Sequence, residues 1–292
     1  MSREGRQARK ESVMEIEFSS LDDTLARFTL TGASPAFANG FRRAMIGEVP
    51  TLAIEDVRIY DNTSAFFDEM LAHRLGLIPI KTDLSTYSIK EKCSCGGAGC
   101  PGCMVTFTLS VEGPKTVLSS DLIPQDPNAT PVYDNIPIVK LTKGQKLVIE
   151  AHAVLNTGRE HAKWQPTLVC GFKNHPVVSI SEACDACMKC VDTCPRAILE
   201  VQDPKGKKVR VVDGKLPDCS MCRLCEKVCL ESGIGDEPAI TISAEADRYI
   251  FIVESDGSLP VKEIMDRALH YIRDQSNELE RQISEISGDE KK

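Results

Sequence analysis

Cys184-Asp-Ala-Cys187-Met-Lys-Cys190-Val-Asp-Thr-Cys194-Pro195 is matched in pattern by Cys219-Ser-Met-Cys222-Arg-Leu-Cys225-Glu-Lys-Val-Cys229-Leu230. Both runs read C-x2-C-x2-C-x3-C, a spacing that wraps three thiolates over one face of a [4Fe–4S] cluster. So short a loop cannot encircle the cluster, and in paired runs of this kind the fourth cysteine serves the other site. The reading therefore assigns Cys184, Cys187, Cys190 and Cys229 to one cluster. Cys219, Cys222, Cys225 and Cys194 hold the second. Leu230 stands where a proline usually follows such a run, which alters the local turn and leaves the ligand count intact.

Disulfides are the main competing use of so many cysteines, but they suit short secreted chains. This chain has 292 residues and thirteen cysteines, an odd number. Its residues 1–11 are polar, with no apolar signal core. The length predicts two or three domains and a sizeable buried core. No run approaches the roughly 18 apolar residues that span a bilayer, so a soluble, cytoplasmic protein with no membrane partner is expected. The formal net charge is −8, which argues against a direct grip on DNA or RNA. Residues 1–13 are expected to be a disordered tail and 287–292 to be frayed.

A second metal site is read from Cys93-Ser-Cys95-Gly-Gly-Ala-Gly-Cys100-Pro-Gly-Cys103. Four thiolates within eleven residues, on a glycine-rich loop, suit one tetrahedral zinc ion. With all four positions taken by protein, such a site is structural. Free thiols or a redox pair remain the alternative. Cys170, alone in a strand-like run, reads as a buried apolar residue.

Elsewhere the pattern gives two strands in 14–32 with a turn at Asp22-Asp23. A helix opens at Ser34-Pro35, with Ala36, Phe37, Phe41, Ala44, Met45 and Val49 on one side, and stops at Pro50. A strand follows over 51–60, then a helix over 64–75 ended by Gly76. Residues 81–165 read as a separate, mostly β segment, with strands near 104–111 and 146–155. Residues 167–181 lead into the cysteine runs, between which lies a hairpin turning at Asp203-Pro204-Lys205-Gly206. Strands are expected over 239–243 and 249–254. Pro260 then starts a final helix with one apolar stripe: Val261, Ile264, Met265, Ala268, Leu269, Ile272, Leu279, Ile283 and Ile286. A stripe this long packs along a partner or across its own domain.

No catalytic set is found. There is no dinucleotide fingerprint, no P-loop and no acidic triplet for magnesium. His73, His152, His161, His175 and His270 read as satisfied polar residues. Residues 159–166, which hold the single tryptophan, read as a docking surface.

Three stretches carry a family resemblance. They are Asn39-Gly-Phe-Arg42-Arg43 continuing to Ile54, Asp68-Glu-Met-Leu-Ala-His-Arg74-Leu-Gly76-Leu-Ile-Pro79-Ile80, and Glu254-Ser-Asp-Gly257-Ser-Leu-Pro260-Val261. With residues 159–166 they resemble the assembly subunits of RNA polymerase, the bacterial alpha subunit and its archaeal and eukaryotic equivalents. The two cluster motifs narrow the resemblance to the archaeal alpha-like members, the D-type subunits, some of which carry a ferredoxin-like domain. The loop 93–103 resembles the zinc loop of the eukaryotic equivalent.

The resemblance implies an α+β fold with a discontinuous alpha-like dimerisation domain of 14–48, 168–182 and 237–292. A mostly-β insert domain of 49–167 would carry the zinc loop, and an inserted ferredoxin-like domain would span 183–236. It implies a heterodimer with the small alpha-like subunit L along the last helix. The helix bearing Arg42 and Arg43 would face the large catalytic subunits, beside further small assembly subunits, and DNA would be reached only through the complex. The polymerase active site would lie in other chains. The competing reading is a ferredoxin-like electron-transfer subunit of an oxidoreductase, since paired clusters most often carry electrons. The polymerase-like blocks, and the lack of flavin or nicotinamide signatures, argue against it.

Overall fold

The structure, a computed structural model, describes residues 13–203, 208–232 and 236–289. The sequence-expected tail lies largely outside them, as do Pro204, Lys205 and Gly206 of the expected hairpin turn. Contacts divide the described chain into two compact units. One comprises 13–18, 28–38 and 172–251, the other 19–27, 39–171 and 252–289.

The described residues open with β1 (Glu15–Leu21) and β2 (Leu25–Thr31), turning at Asp22 and Asp23 as the pattern predicts. The Asp22 carboxylate accepts from the backbone N–H of Thr24 and Leu25, which fixes the turn. Helix α1 (Pro35–Gly47) follows, capped by the Ser34 hydroxyl, which accepts from Phe37 N–H at 3.1 Å. Its buried face is Ala38, Phe41, Ala44 and Met45. Ala36, expected on that face, is exposed, because it sits in the first turn ahead of the packed stripe.

Strand β3 (Thr51–Asn62) leads to α2 (Asp68–Gly76). This helix starts four residues later than the sequence suggests. Asn62 and Ser64 hydrogen-bond each other and Phe66, holding 62–66 in a turn that competes with helix. Next come β4 (Met104–Glu112), β5 (Lys115–Leu118), β6 (Ile123–Pro124), β7 (Pro137–Leu141) and β8 (Lys146–Asn156). They form a four-stranded sheet, β3-β8-β4-β6, and a β5-β7 pair. The register sets Leu52 opposite Leu155 and Phe107 opposite Ala151. Alternation along β4 buries Val105, Phe107 and Leu109. These pack with Leu71 and Leu75 of α2 in one core.

Strand β9 (Thr167–Ile180) precedes α3 (Lys189–Thr193), the hairpin β10 (Leu199–Asp203) and β11 (Lys208–Val211), then α4 (Leu224–Glu231). In the hairpin Leu199 faces Val211 and Val201 faces Val209. The two strands expected over 239–243 and 249–254 are one strand, β12 (Ile240–Ser255). Its polar middle, Ala244 to Arg248 in the sequence, hid the continuity from a hydrophobic reading. A second sheet orders β1-β2-β12-β9. Within the first unit a row of rings follows that order: Phe18 to Phe28 at 5.5 Å, Phe28 to Phe251 at 4.9 Å, and Phe251 to Phe172 at 5.0 Å.

The last helix, α5 (Val261–Asp289), runs past Ser287, where fraying is expected from sequence. Its first turns are buried at Val261, Ile264, Met265 and Ala268. Beyond Ile272 its surface is exposed, with Leu279 at 58%, Ile283 at 55% and Ile286 at 71%.

Candidate metal centres

The eight cysteines of the paired runs line two small cavities in the first unit. Cys184, Cys187, Cys190 and Cys229 line the first, with Ile180, Val209 and Ile240 as apolar walls. Cys194, Cys219, Cys222 and Cys225 line the second, with Ile198, Leu199 and Ile242. Helix geometry explains the crossing. Each C-x2-C-x2-C loop runs straight into a short helix, and α3 and α4 carry Cys194 and Cys229 away from their own loops. The two helices lie in contact.

The loops share an unusual backbone. Ala186 and Met188 have φ of 55° and 65°, and Met221 and Arg223, at the same offsets from the first cysteine of their run, have 54° and 58°. Left-handed residues alternating with ordinary ones turn successive N–H groups into a concavity that favours anions, including iron–sulfur groups. Met221 N–H points to Cys219 Sγ at 3.4 Å, and Ala239 N–H donates to Cys229 Sγ at 3.2 Å. Four thiols, apolar walls and inward N–H groups fit a cubane cluster at each set. When bound, such a cluster supplies one-electron chemistry or a cross-link between loops. Burial pushes the Cys190 thiol up to about 11, with neighbouring thiolates adding to it. Burial does the same for Cys225, also to about 11. Metal ligation removes such protons.

Cys93, Cys95, Cys100 and Cys103 form a tighter group in the second unit, with all sulfurs within 4.8 Å of one another. Three separations are 3.5 Å (Cys93 to Cys100), 3.6 Å (Cys95 to Cys103) and 3.9 Å (Cys100 to Cys103). A tetrahedron of thiolates about 2.3 Å from zinc has edges of ~3.8 Å, so the set fits one zinc ion. The Gly99 N–H draws the Cys95 thiol down to about 6, while burial pushes Cys103 up to about 12. Gly99 holds φ +85°, open to glycine and costly for a side chain. Cys103 immediately precedes β4, so the insert sheet fixes one ligand and the loop brings the others to it.

Other expected positions resolve differently. Cys170 is partly exposed, its Sγ 3.7 Å from the Arg42 carbonyl oxygen, and burial raises its thiol to about 12. Residues 159–166, expected as a docking surface, are exposed over 159–162 and buried at Trp164 and Pro166. Trp164 is 4% exposed and its Nε1 donates to the Val154 carbonyl, while Lys163 bonds Ile54 O and pairs with Glu55. Arg159 is exposed, as are Glu160, His161 and Ala162, and it reaches Glu48 at 3.0 Å. It joins Arg42, Arg43, Tyr271 and Gln275 in lining a groove. His152 sits 3.1 Å from Glu150 and His270 3.1 Å from Asp266, in keeping with satisfied polar roles, whereas the buried His175 Nδ1 lies 3.0 Å from Glu245 without a hydrogen bond. Nothing in the sequence signals the left-handed Ala186, Met188, Met221 and Arg223, because no glycine marks them.

Residues 57–169 match the family model described as RNA polymerase Rpb3/RpoA insert domain. Residues 183–232 match that of a 4Fe-4S dicluster domain. Fold and site thus define a DNA-directed RNA polymerase subunit that carries an iron–sulfur domain. Curated relatives cover nearly the whole chain. "DNA-directed RNA polymerase subunit Rpo3" of Methanosarcina mazei is 49% identical over 267 residues, 91% of this chain and 97% of the relative. Its namesake in Archaeoglobus fulgidus is 46% identical over 272 residues, 93% and 98% of the two chains. That of Thermoplasma volcanium is 35% identical over 286 residues, 93% and 100%. The chain belongs to the Rpo3 family, the archaeal D-type subunits of RNA polymerase. The electron-transfer reading is not favoured by these matches. Among the described residues no helix is long and apolar enough to cross a membrane.

Proposed function

We propose that this chain is the assembly platform of a cytoplasmic archaeal RNA polymerase, paired with the small alpha-like subunit L, and that it carries two [4Fe–4S] clusters and one zinc. The apolar surface of α5 beyond Ile272, above all Leu279 and Ile286, is the observation that supports pairing. Such side chains on a formed helix call for a covering partner. The groove bearing Arg42, Arg43 and Arg159 supports contact with the large catalytic subunits, which would hold the active site and the DNA. No residue of this chain is assigned a catalytic role.

The domain layout follows the same reading: a dimerisation domain of 14–48, 168–182 and 237–292, an insert of 49–167 and a ferredoxin-like domain of 183–236. Cys184, Cys187, Cys190 and Cys229 would ligate one cluster and Cys194, Cys219, Cys222 and Cys225 the other. Cys93, Cys95, Cys100 and Cys103 would hold zinc. Co-purification under anaerobiosis tests the whole. A small alpha-like partner in equal amount, about eight iron and about one zinc per chain are expected. Full iron without a partner would overturn the pairing. A regulatory role for the clusters is tested by Cys184→Ser and Cys219→Ser. Unchanged affinity for subunit L and unchanged polymerase assembly would leave the clusters without that role.

A further inference from the structure

The two four-thiol cavities are alike in ligands but not in charge. Among the described residues, the first adds one acid to its lining, Asp185, and no cation. The second adds Arg196 and Arg223 and no acid. Lys173, half-buried on β9, donates from Nζ to the carbonyl oxygen of Cys219 at 2.8 Å. Two acids stand near this second set. Asp218 interacts with Lys173, and Glu226 with Cys225. Glu226 is itself engaged by the Ile242 N–H and lies 3.9 Å from Arg223. Arg196 and Arg223 are exposed, where water and salt screen them. Lys173 is therefore the cation whose field reaches the second set with least loss.

Adding an electron to a thiolate-bound cluster adds one negative charge. Nearby cations favour that form and nearby acids oppose it. We propose that the set of Cys194, Cys219, Cys222 and Cys225 is the site of higher reduction potential, and that Lys173 is the residue that sets it apart from the Cys184, Cys187, Cys190 and Cys229 set. The inference rests on the reading that each set holds a four-iron cluster. The electron comes from an external low-potential donor, dithionite in the test. It stays at the second set, and no bond in this chain forms or breaks.

The test uses the full-length protein purified anaerobically with its clusters. Iron and sulfide are measured first, and fewer than about eight iron per chain sinks the two-cluster reading before any variant is made. Potentiometric titration followed by electron paramagnetic resonance then compares wild type, Lys173→Met and Lys173→Arg. Two waves are expected in the wild type. Lys173→Met lowers the upper wave by roughly a tenfold change in the one-electron reduction constant, ~59 mV, with the lower wave and the iron content unchanged. Lys173→Arg, which keeps the charge, restores it. A single two-electron wave, a shift of the lower wave, or no shift overturns the proposal. If Lys173→Met loses iron, Asp185→Asn decides from the other side. Its side-chain oxygen still accepts from Cys187 N–H, a bond of 3.0 Å in the wild type. It should raise the lower wave alone, and movement of the upper wave, or of neither, overturns the assignment.

Discussion

The insert sheet and the segment 183–232 are both held by buried side chains, but of different kinds. Among the described residues, the core around β3, β4 and β8 joins twenty-one buried apolar residues, from Leu52 to Leu155. The core around the cysteine runs has eight, and three of these are Cys190, Cys219 and Cys229. Burial at about 25 cal/mol per Å² of apolar surface suffices for the first. The second has too little such surface for a segment with two strained loops, and its thiols are set to be joined by metal. Two parts of one chain thus rely on unlike sources of order, and each has its own way to fail.

Stripping the metal should separate the two regions most widely. After oxidative loss and chelation, amide exchange in β10, β11 and α4 is expected to speed up by roughly a hundredfold or more, ~2.8 kcal/mol at 1.4 kcal/mol per decade. Amides of β8 should keep their protection. Persistent protection across 199–231 would mean that the segment stands on its own packing. The converse cut is Phe107→Ala, which empties the centre of the insert core. It should cost about 3–5 kcal/mol in thermal unfolding, while the visible absorbance of the clusters stays unchanged below the transition.

Cys95→Ser asks whether the zinc loop behaves like the insert or like the cluster segment. Elemental analysis should show zinc lost and iron retained, with a stability change of about 1–3 kcal/mol and faster exchange confined to 90–103. Spread of that exchange along β4 would place the loop among the metal-dependent elements. Asp256→Asn gives the smallest effect. Burial raises the Asp256 carboxyl above its ordinary value, so the native state holds the proton more tightly than the unfolded chain. Its contribution is therefore most favourable below the unfolded value of about 3.9 and declines as pH rises through the raised one. Asparagine keeps the acceptor for the Ser258 N–H and hydroxyl. It should flatten that decline and gain under about 1 kcal/mol at neutral pH, read from denaturant midpoints at pH 4 and 7. An unchanged slope would show that Asp256 does not titrate in that window.

Legibility in the sequence followed the same divide. Periodicity placed β3, β4 and β8 because alternation of apolar residues is what their burial requires. The thiol groupings were readable because ligand spacing is a covalent constraint on a short loop. The late start of α2 was not, since Asn62 and Ser64 act through side-chain bonds to a turn and not through hydrophobicity. The inward turn of Trp164 was not legible either, because a dense polar stretch surrounds that one anchor. Lys173 was invisible, as its partner lies forty-six residues away.

The exposed half of helix α5 is already helical, tied along its length by Arg281 to Glu278 and to Glu285. The buried first turns of the helix serve as the nucleus that an isolated helix lacks. A partner that covered Leu279 and Ile286, as proposed, would thus meet a surface in its final shape. Such an encounter escapes the ordering entropy of about 1–2 kcal/mol per residue that a coil would demand, and its tightness is left to complementarity of the two faces.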